Sequence, residues 1–283
     1  MEFAEIKIYD IYIYMKNLIL YGEYSSWDNF NNLSLQQFVD KDITVIKIYT
    51  LGELQYYFTI NPNSEYFIIP ITLNNARELN NINIKNLYPY NYIIDVFNNK
   101  KHFDDYVSNH NLTQYIPKKY TTYLDSYKHD TTTVIVKEGN ENAFGYGVFL
   151  KRLCDLNQEI LNNNIVQEYI YDNTEYAAHI VCDYGVIKKY NIFSRTYHTD
   201  NSTPFVQGNH CKYDYTLNTN LKIEQKHLDI LEKFLLPCRY NGICCVDFKI
   251  QNDNVYLFEI NPRVGASLAS RLDKLYKLIK HLL

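Results

Sequence analysis

The stretch YLFEINPRVGAS, residues 256–267, begins as a hydrophobic strand and runs directly into polar side chains. Glu259, Asn261 and Arg263 stand two residues apart, and a proline and a glycine then interrupt the extended run. A strand directs alternate side chains to the same face of its sheet. The segment therefore predicts a strand end at which a carboxylate, an amide and a guanidinium group are gathered.

A second alternating run precedes this strand and predicts a β-hairpin over residues 243–261. The register follows if the apolar residues of both strands share one buried face. Ile250 then pairs with Tyr256 across a three-residue loop, and Asp247 lies opposite Glu259. The apolar residues that set this register are Val246, Phe248 and Ile250 on the first strand and Tyr256, Phe258 and Ile260 on the second.

The predicted pairing brings two carboxylates together, which is normally repulsive across a strand pair. Asp247 and Glu259, with Asn261 two residues further on, form a set of hard oxygen ligands that suits Mg²⁺. A solvated sheet face carrying ordinary acids is the alternative. The spacing alone does not decide between these two interpretations.

A glycine-containing loop lies earlier in the chain, in VIVKEGNENAFGYGVFLKR, residues 134–152. A predicted strand delivers Lys137, and Gly145 and Gly147 precede a helix that we predict over residues 148–162. Glycines let backbone N–H groups approach an anion closely, and a lysine adds a point charge. The segment is not a Walker loop, and an ordinary strand–turn–helix connection has a similar pattern.

The segment VQEYIYDNTEY, residues 166–176, is a strand end followed by an acidic residue, Glu175. By itself this segment does not distinguish a ligand-binding segment from an ordinary strand that carries exposed acids. The segment becomes informative when it is considered together with the glycine loop before it and the hairpin after it, in their order along the chain. A strand lysine with a glycine loop comes first, QEYI with Glu175 follows, and an Asp…Glu-x-Asn-x-Arg series closes the sequence.

This order resembles the ATP-grasp superfamily, in particular the carboxylate–amine ligases with an EINPR segment. The resemblance covers roughly residues 98–270 and implies an ATP-grasp fold of the α/β (α+β) class. It implies a small N-terminal α/β domain over 1–97, a small ATP-grasp subdomain with a glycine-rich lid over 98–165, and a large subdomain with a metal site over 166–283.

The resemblance also implies a role for individual residues. Lys137 would contact the α- and β-phosphates of ATP, and the loop that contains Gly145 and Gly147 would fold over them. The adenine would meet the QEYI segment, and Glu175 would accept hydrogen bonds from the ribose hydroxyls. The residues of the QEYI segment are Gln167, Glu168, Tyr169 and Ile170.

For the remaining residues the resemblance implies contacts with metal and phosphate. Asp247, Glu259 and Asn261 would hold Mg²⁺, usually as two ions, with Mn²⁺ as a substitute. Arg263 would bind the transferred phosphoryl group or the substrate carboxylate.

Two assignments stay open at this stage. An earlier ATP lysine is expected in NNKKHF, where Lys100 precedes a phenylalanine by three residues and Lys101 competes with it. Arg195 lies in a predicted polar loop, residues 194–220, with His198 and His210. It can bind a carboxylate or the γ-phosphate, or it can belong to an ordinary surface loop.

The activity implied is ATP-dependent ligation of a small-molecule carboxylate to an amine, through an acyl phosphate, with release of ADP and phosphate. A phosphotransferase or a non-ligating nucleotide-binding protein on the same fold is the alternative. The net charge of −4 gives no sign of a nucleic-acid-binding surface. We expect a cytoplasmic protein, with a homodimer left open, because no signal peptide or membrane span is apparent and the cysteines lack a CxxC spacing.

The first 97 residues alternate short apolar runs with helix-length segments, which predicts an α/β layer with a mostly parallel sheet. Strands are predicted over residues 6–14, 43–49, 66–71 and 92–96. Further along, helices are predicted over 101–109, 221–236 and 266–283, and strands over 115–122, 131–139, 165–171 and 175–193, the last as a pair.

Overall fold

A computed structural model of the chain describes residues 16–24, 34–138, 148–197 and 215–283. The strand predicted over residues 6–14 lies outside these ranges. So do Gly145 and Gly147 of the predicted lid, and His198 and His210 of the predicted polar loop.

The N-terminal part contains a three-stranded parallel sheet with the strand order β2-β1-β3. Leu18 and Leu20 of β1 pack into one hydrophobic cluster, while Ile19 and Tyr21 pack into another on the opposite face. Covering on both faces is typical of parallel sheets. The prediction of a parallel α/β layer is confirmed. The elements are β1 (Lys16–Tyr21), β2 (Ile43–Ile48), α1 (Leu51–Ile60), β3 (Tyr66–Pro70) and α2 (Leu73–Asn81).

The next segment corrects one prediction. The short apolar run at residues 92–96 predicts a strand, but these residues lie in helix α3 (Asn91–Asn98). Ile93, Ile94 and Phe97 share the buried side of this helix, so burial on one face outweighs β-propensity. Helix α4 (Lys100–Asn109) follows as predicted, and the Asn99 side chain caps its first turn.

A four-stranded antiparallel sheet has the order β4-β7-β5-β6. The helix predicted over residues 148–162 is wrong over its first third, which forms β6 against β5 with Val148 opposite Lys137. An α-helix is present only from Gln158 onward. Only two residues of the predicted strand 115–122 pair with a neighbour. The elements are β4 (Lys119–Tyr120), β5 (Thr133–Glu138), β6 (Val148–Arg152), α5 (Gln158–Asn163) and β7 (Asn164–Glu168).

A five-stranded antiparallel sheet has the order β10-β9-β8-β11-β12. The predicted strand pair turns at Tyr184 and Gly185, both with positive φ. The predicted polar loop 194–220 is shorter than expected, since β9 and β10 occupy its two ends. The elements are β8 (Thr174–Asp183), β9 (Val186–Tyr197), β10 (Tyr215–Leu221), α6 (Gln225–Leu235), β11 (Gly242–Gln251), β12 (Asn254–Asn261), α7 (Ala266–Ala269) and α8 (Leu272–Ile279).

The β11–β12 hairpin has the predicted Asp247–Glu259 pair but a different register beyond it. Ile250 pairs with Val255 rather than Tyr256, because a β-bulge at Phe258 adds one residue to β12. The loop is the two-residue turn Asn252–Asp253, in which both residues have positive φ. The buried residues of β12 are therefore Val255, Leu257 and Ile260.

The two faces of the five-stranded sheet differ. One is apolar, with Ala178, Ile180, Val246 and Phe248 packed in a cluster with residues of α4 and α6. The other, which we call the site face, carries Glu175, Arg195, Asp247, Lys249 and Glu259, as strand alternation and the register require. The fold thus presents one row of charged side chains.

Two further observations concern the described residues. Five cysteines in the described residues are free thiols, in line with the absence of a CxxC spacing. Within the described ranges, no helix has both the length and the apolar character that a membrane crossing requires.

Candidate active site

The predicted metal ligands meet at one end of the β11–β12 hairpin. Asp247 faces Glu259 across the strand pair, and Asn261 follows on β12. The Asn261 side-chain amide donates to Glu259 Oε1 at 2.9 Å and to Asp247 Oδ2 at 3.2 Å. The three side chains therefore point into one small volume at the sheet surface.

This volume has a strongly negative character. Burial raises the pKa of Asp247 well above its ordinary value, and the charges of Glu259 and Glu175 raise it further, while Arg195 opposes them. A divalent cation would relieve this repulsion, and two carboxylates with an amide that can turn its oxygen inward are the hard ligands Mg²⁺ takes. The described residues contain no cluster of three or more His, Cys, Asp or Glu side chains that could hold a metal, so Asn261 would have to complete the set.

Lys137 faces this cluster from β5 of the four-stranded sheet. Its Nζ lies 5.8 Å from the centre of the Phe258 ring, beside Glu259 in the sequence. Burial lowers the pKa of Lys137, and the charge of Glu259 opposes that change. The two sheets thus approach each other here, with the lysine on one and the carboxylates on the other.

The same electrostatic contacts distinguish the two candidates for the first ATP lysine. Lys100 and Lys119 both lower the pKa of Lys137, so their ammonium groups lie within electrostatic reach of it. Lys119 also forms an ion pair with Asp104. Lys101 is exposed on α4. Of Lys100 and Lys101, Lys100 is the one whose charge acts on Lys137, so Lys100 stays the candidate for the first ATP lysine.

Glu175 and Arg195 are neighbours on β8 and β9, directly opposite each other in the register. Burial raises the pKa of Glu175, whereas Lys249, Arg195, a hydrogen bond from Tyr197 and Lys137 lower it. The Glu175 carboxylate lies 3.9 Å from Lys249 Nζ and accepts from the Tyr197 hydroxyl at 3.4 Å. This carboxylate therefore stays on the site face with cations on two sides.

The QEYI segment forms the end of β7 and the connection to β8. Gln167 is buried and lies between Ile135 and Lys119 in the sheet. The Glu168 N–H donates to the Lys118 carbonyl at 2.8 Å. Tyr169 and Ile170 are buried, and the Ile170 carbonyl accepts from Lys249 Nζ at 3.2 Å. The segment is thus fixed beside the site face.

Arg263 lies directly beyond the carboxylate cluster, where the chain leaves β12. Its Nη1 donates to the Val264 carbonyl at 3.1 Å. The Val264 N–H donates to the buried Tyr88 hydroxyl at 3.3 Å, which ties this turn to the N-terminal part of the chain. Arg263 is only partly buried, so its guanidinium stays accessible to an anion.

The turn after Arg263 packs closely against β8 and β11. A Cβ on Gly265 would stand 2.6 Å from His179 Cε1 and 2.8 Å from Cys245 Sγ, so only glycine fits. The ring of His179 is fully buried, and its Nε2 lies 2.8 Å from Ser267 Oγ. Burial, together with the charge of Arg263, lowers the pKa of His179 to about 3. A neutral histidine therefore anchors the turn.

Sequence reasoning missed Lys249 and His179. The signal for Lys249 was present, since it stands two residues after Asp247 and so faces the same side of the sheet. It was interpreted as one of the polar residues of an ordinary alternating strand. His179 carries no comparable signal, because its role depends on a turn that lies far along the chain.

The comparisons with known proteins concern the family and the fold of the chain. A sequence model of the ATP-grasp domain matches residues 97–267, and the chain therefore belongs to the ATP-grasp family. No curated protein matches the chain.

Several solved structures share the fold at low sequence identity. D-alanine–D-alanine ligase from Bacillus anthracis is 12% identical, with a TM-score of 0.56 and coverage of 94% of this chain and 96% of that one. D-alanyl-alanine synthetase A from Vibrio cholerae is 14% identical, with a TM-score of 0.58 and coverage of 94% and 93%. An L-amino acid ligase from Bacillus licheniformis is 14% identical, with a TM-score of 0.55 and coverage of 93% and 70%. The predicted ATP-grasp fold is confirmed.

Proposed function

We propose that this chain is an ADP-forming carboxylate–amine ligase that joins its two substrates through an acyl phosphate. The observation that carries the proposal is the arrangement of Asp247, Glu259 and Asn261 opposite Lys137, with Arg263 immediately beyond. This arrangement would bring the proposed metal ligands and two cations to a transferred phosphoryl group, which is the requirement for its transfer. The fold, shared with D-alanine–D-alanine ligases and an L-amino acid ligase, supports the same conclusion.

The nucleotide would lie between the four-stranded and the five-stranded sheets. Its adenine would contact the segment from Gln167 to Ile170, and its ribose would bind the carboxylate of Glu175. A D-alanine–D-alanine ligase of the same fold has been solved in complex with ATP, which supports ATP as the nucleotide. Gly145 and Gly147, outside the described residues, are proposed to close over the phosphates.

The phosphates would meet a set of cations already near one another. Lys100 and Lys137 would bind the phosphate oxygens, while Asp247, Glu259 and Asn261 would hold Mg²⁺, in our proposal two ions, with Mn²⁺ as a substitute. Bound there, Mg²⁺ would neutralise charge on the β- and γ-phosphate oxygens. A MgADP complex in another protein of this fold, a biotin carboxylase domain, supports the choice of metal.

The reaction would proceed in two displacements. An oxygen of the substrate carboxylate attacks the γ-phosphorus, the bond to the β–γ bridging oxygen breaks, and ADP leaves. The amine nitrogen then attacks the acyl carbon, the bond to the phosphate oxygen breaks, and phosphate leaves as the nitrogen loses a proton. Arg263 and Arg195 would hold the carboxylate and the moving phosphoryl group in line, so the protein contributes mainly position and charge.

A screen for ADP release tests this proposal. Standard L-amino acids and D-alanine would be supplied in pairs with one another and with simple alkyl amines, together with ATP and Mg²⁺. We expect ADP and phosphate only when a carboxylate and an amine are both present, and a product whose mass equals their sum less one water. ATP turnover with a single substrate and no joined product would instead favour the phosphotransferase.

A further inference from the structure

Lys249 is a buried cation on the site face that the proposed phosphoryl transfer does not use. Its side chain is 4% exposed. A lysine ammonium is almost never buried without partners, because the loss of hydration destabilises its charged form. Burial accordingly lowers the pKa of Lys249, and the charges of Glu175 and Asp172 oppose that change. The partners of this ammonium group therefore indicate what it does.

The first partner is the segment proposed to bind adenine. Lys249 Nζ donates to the Ile170 carbonyl at 3.2 Å and lies 5.3 Å from the centre of the Tyr169 ring. Gln251, the next residue on the same face of β11, donates to the Tyr171 carbonyl at 2.7 Å. The two successive carbonyls of Ile170 and Tyr171 thus both accept hydrogen bonds from side chains of β11.

The second partner is the carboxylate proposed to bind ribose. Lys249 Nζ lies 3.9 Å from Glu175 Oε1. Glu175 keeps an exposed fraction of 24%, so it retains a surface toward the site while its other side faces the ammonium group. Lys249 thus contacts both the segment proposed to bind adenine and the carboxylate proposed to bind ribose.

We propose that Lys249 is a positioning residue that fixes Ile170 and Glu175 relative to each other, so that the site selects the ribose of its nucleotide over deoxyribose. This inference rests on the proposed nucleotide site and deepens it. Without Lys249, the Ile170 carbonyl loses a donor and the partly buried Glu175 loses its nearby lysine cation. The hydrogen bonds from the ribose hydroxyls to Glu175 would then form without a fixed geometry.

The experiment measures equilibrium binding of ATP, 2′-deoxyATP and inorganic tripolyphosphate, each with Mg²⁺, to the wild type and to Lys249→Met. We expect the wild type to prefer ATP over 2′-deoxyATP about tenfold. Lys249→Met should bind ATP about 10- to 100-fold more weakly and lose that preference, while its affinity for tripolyphosphate stays within about twofold. Methionine is unbranched and only one atom shorter than lysine, and it removes the charge.

Three further variants distinguish a positioning role of Lys249 from general damage to the fold. Lys188→Met makes the same change on an exposed lysine of β9 and should leave all three affinities unchanged. Gln251→Met removes only the neighbouring hydrogen bond to the Tyr171 carbonyl and should keep the preference for ATP over 2′-deoxyATP. Lys249→Arg retains the charge and should keep most of that preference, even if the methionine variant does not fold.

Three outcomes would overturn the inference. In the first, a folded Lys249→Met retains the wild-type preference for ATP. In the second, it loses tripolyphosphate binding as strongly as ATP binding, which indicates general damage. In the third, Lys249→Arg loses the preference. A wild type that binds no nucleotide at all would instead overturn the proposed function, so the two failures are distinguishable.

Discussion

The three-stranded N-terminal sheet and the five-stranded sheet use similar apolar strands in opposite ways. In β1 both faces are buried, with Leu18 on one side and Ile19 on the other. In the five-stranded sheet only one face is apolar, and the other gathers charges such as Asp247 and Lys249 away from bulk water. The first arrangement favours stability, whereas the second places charged groups where a ligand can use them.

The largest expected effect comes from the site face. Glu259→Gln removes one carboxylate of the proposed metal site at nearly constant volume, and we expect ATP turnover to fall about 10²- to 10³-fold, or roughly 3–4 kcal/mol. Steady-state ADP release measures the change. Glu65→Gln, on an exposed residue before β3, is the matched control and should turn over ATP as the wild type does. An active Glu259→Gln would contradict the metal assignment.

A change in the N-terminal sheet should affect stability instead. Ile19 is fully buried in the centre of β1, so Ile19→Ala should lower the free energy of unfolding by about 2–5 kcal/mol through lost packing and a cavity. Urea denaturation measures this loss, and Ile60→Ala, on a residue that is 57% exposed, should change stability by less than about 0.5 kcal/mol. Turnover per folded molecule should stay unchanged; a loss there would mean that this sheet takes part in catalysis.

The turn behind Arg263 predicts a pH dependence of stability. The pKa of His179 is about 3 in the folded chain, well below the ordinary value of 6.5, so the unfolded chain binds more protons between these values. Stability is therefore fully present above pH 6.5 and falls by about 1.4 kcal/mol per unit as the pH drops below it.

Denaturation at pH 7.0 and pH 5.5 measures this slope. His179→Gln should reduce the loss of stability between the two pH values by about 1.3 kcal/mol, because no proton is taken up at this position on unfolding. His110→Gln, on an exposed residue of the α4 end, should leave the slope as it is. Equal slopes in the wild type and His179→Gln would contradict a neutral buried histidine.

The smallest expected effect is a gain in stability when one carboxylate of the proposed metal site is removed. The pKa of Asp247 is raised in the folded chain, so its ionised form destabilises the metal-free protein at neutral pH. Asp247→Asn removes that charge and should raise the free energy of unfolding by about 1 kcal/mol without Mg²⁺. Thermal unfolding at pH 7 without Mg²⁺ tests this, with Asp183→Asn at the exposed end of β8 as the control. A lower melting temperature for Asp247→Asn would contradict the repulsion.

The sequence sufficed for the carboxylate pair because two patterns agreed there. Hydrophobic alternation along β11 and β12 set Asp247 opposite Glu259. The same reasoning missed the bulge at Phe258, since the extra residue is absorbed by the sheet without any glycine or proline to signal it. The pairing near the site was therefore correct while the turn was wrong.

Other errors arose where tertiary contacts override local preference. Residues 148–152 form β6 because β5 offers them an open edge, and residues 92–96 form α3 because its buried side packs against the core. The spacing of Lys249 from Asp247 was enough to predict that it lies on the site face. Its contacts with Ile170 and Glu175 could not be predicted in this way. Those contacts depend on how the connection after β7 folds back, which no periodicity encodes.

Binding of ATP to the wild type and to Glu259→Gln, measured by calorimetry with and without Mg²⁺, tests the central claim most directly. The claim is that the charged site face holds a metal–nucleotide complex. We predict that Mg²⁺ strengthens ATP binding to the wild type at least about tenfold and has little effect on Glu259→Gln. Equal strengthening by Mg²⁺ in both proteins would contradict the claim.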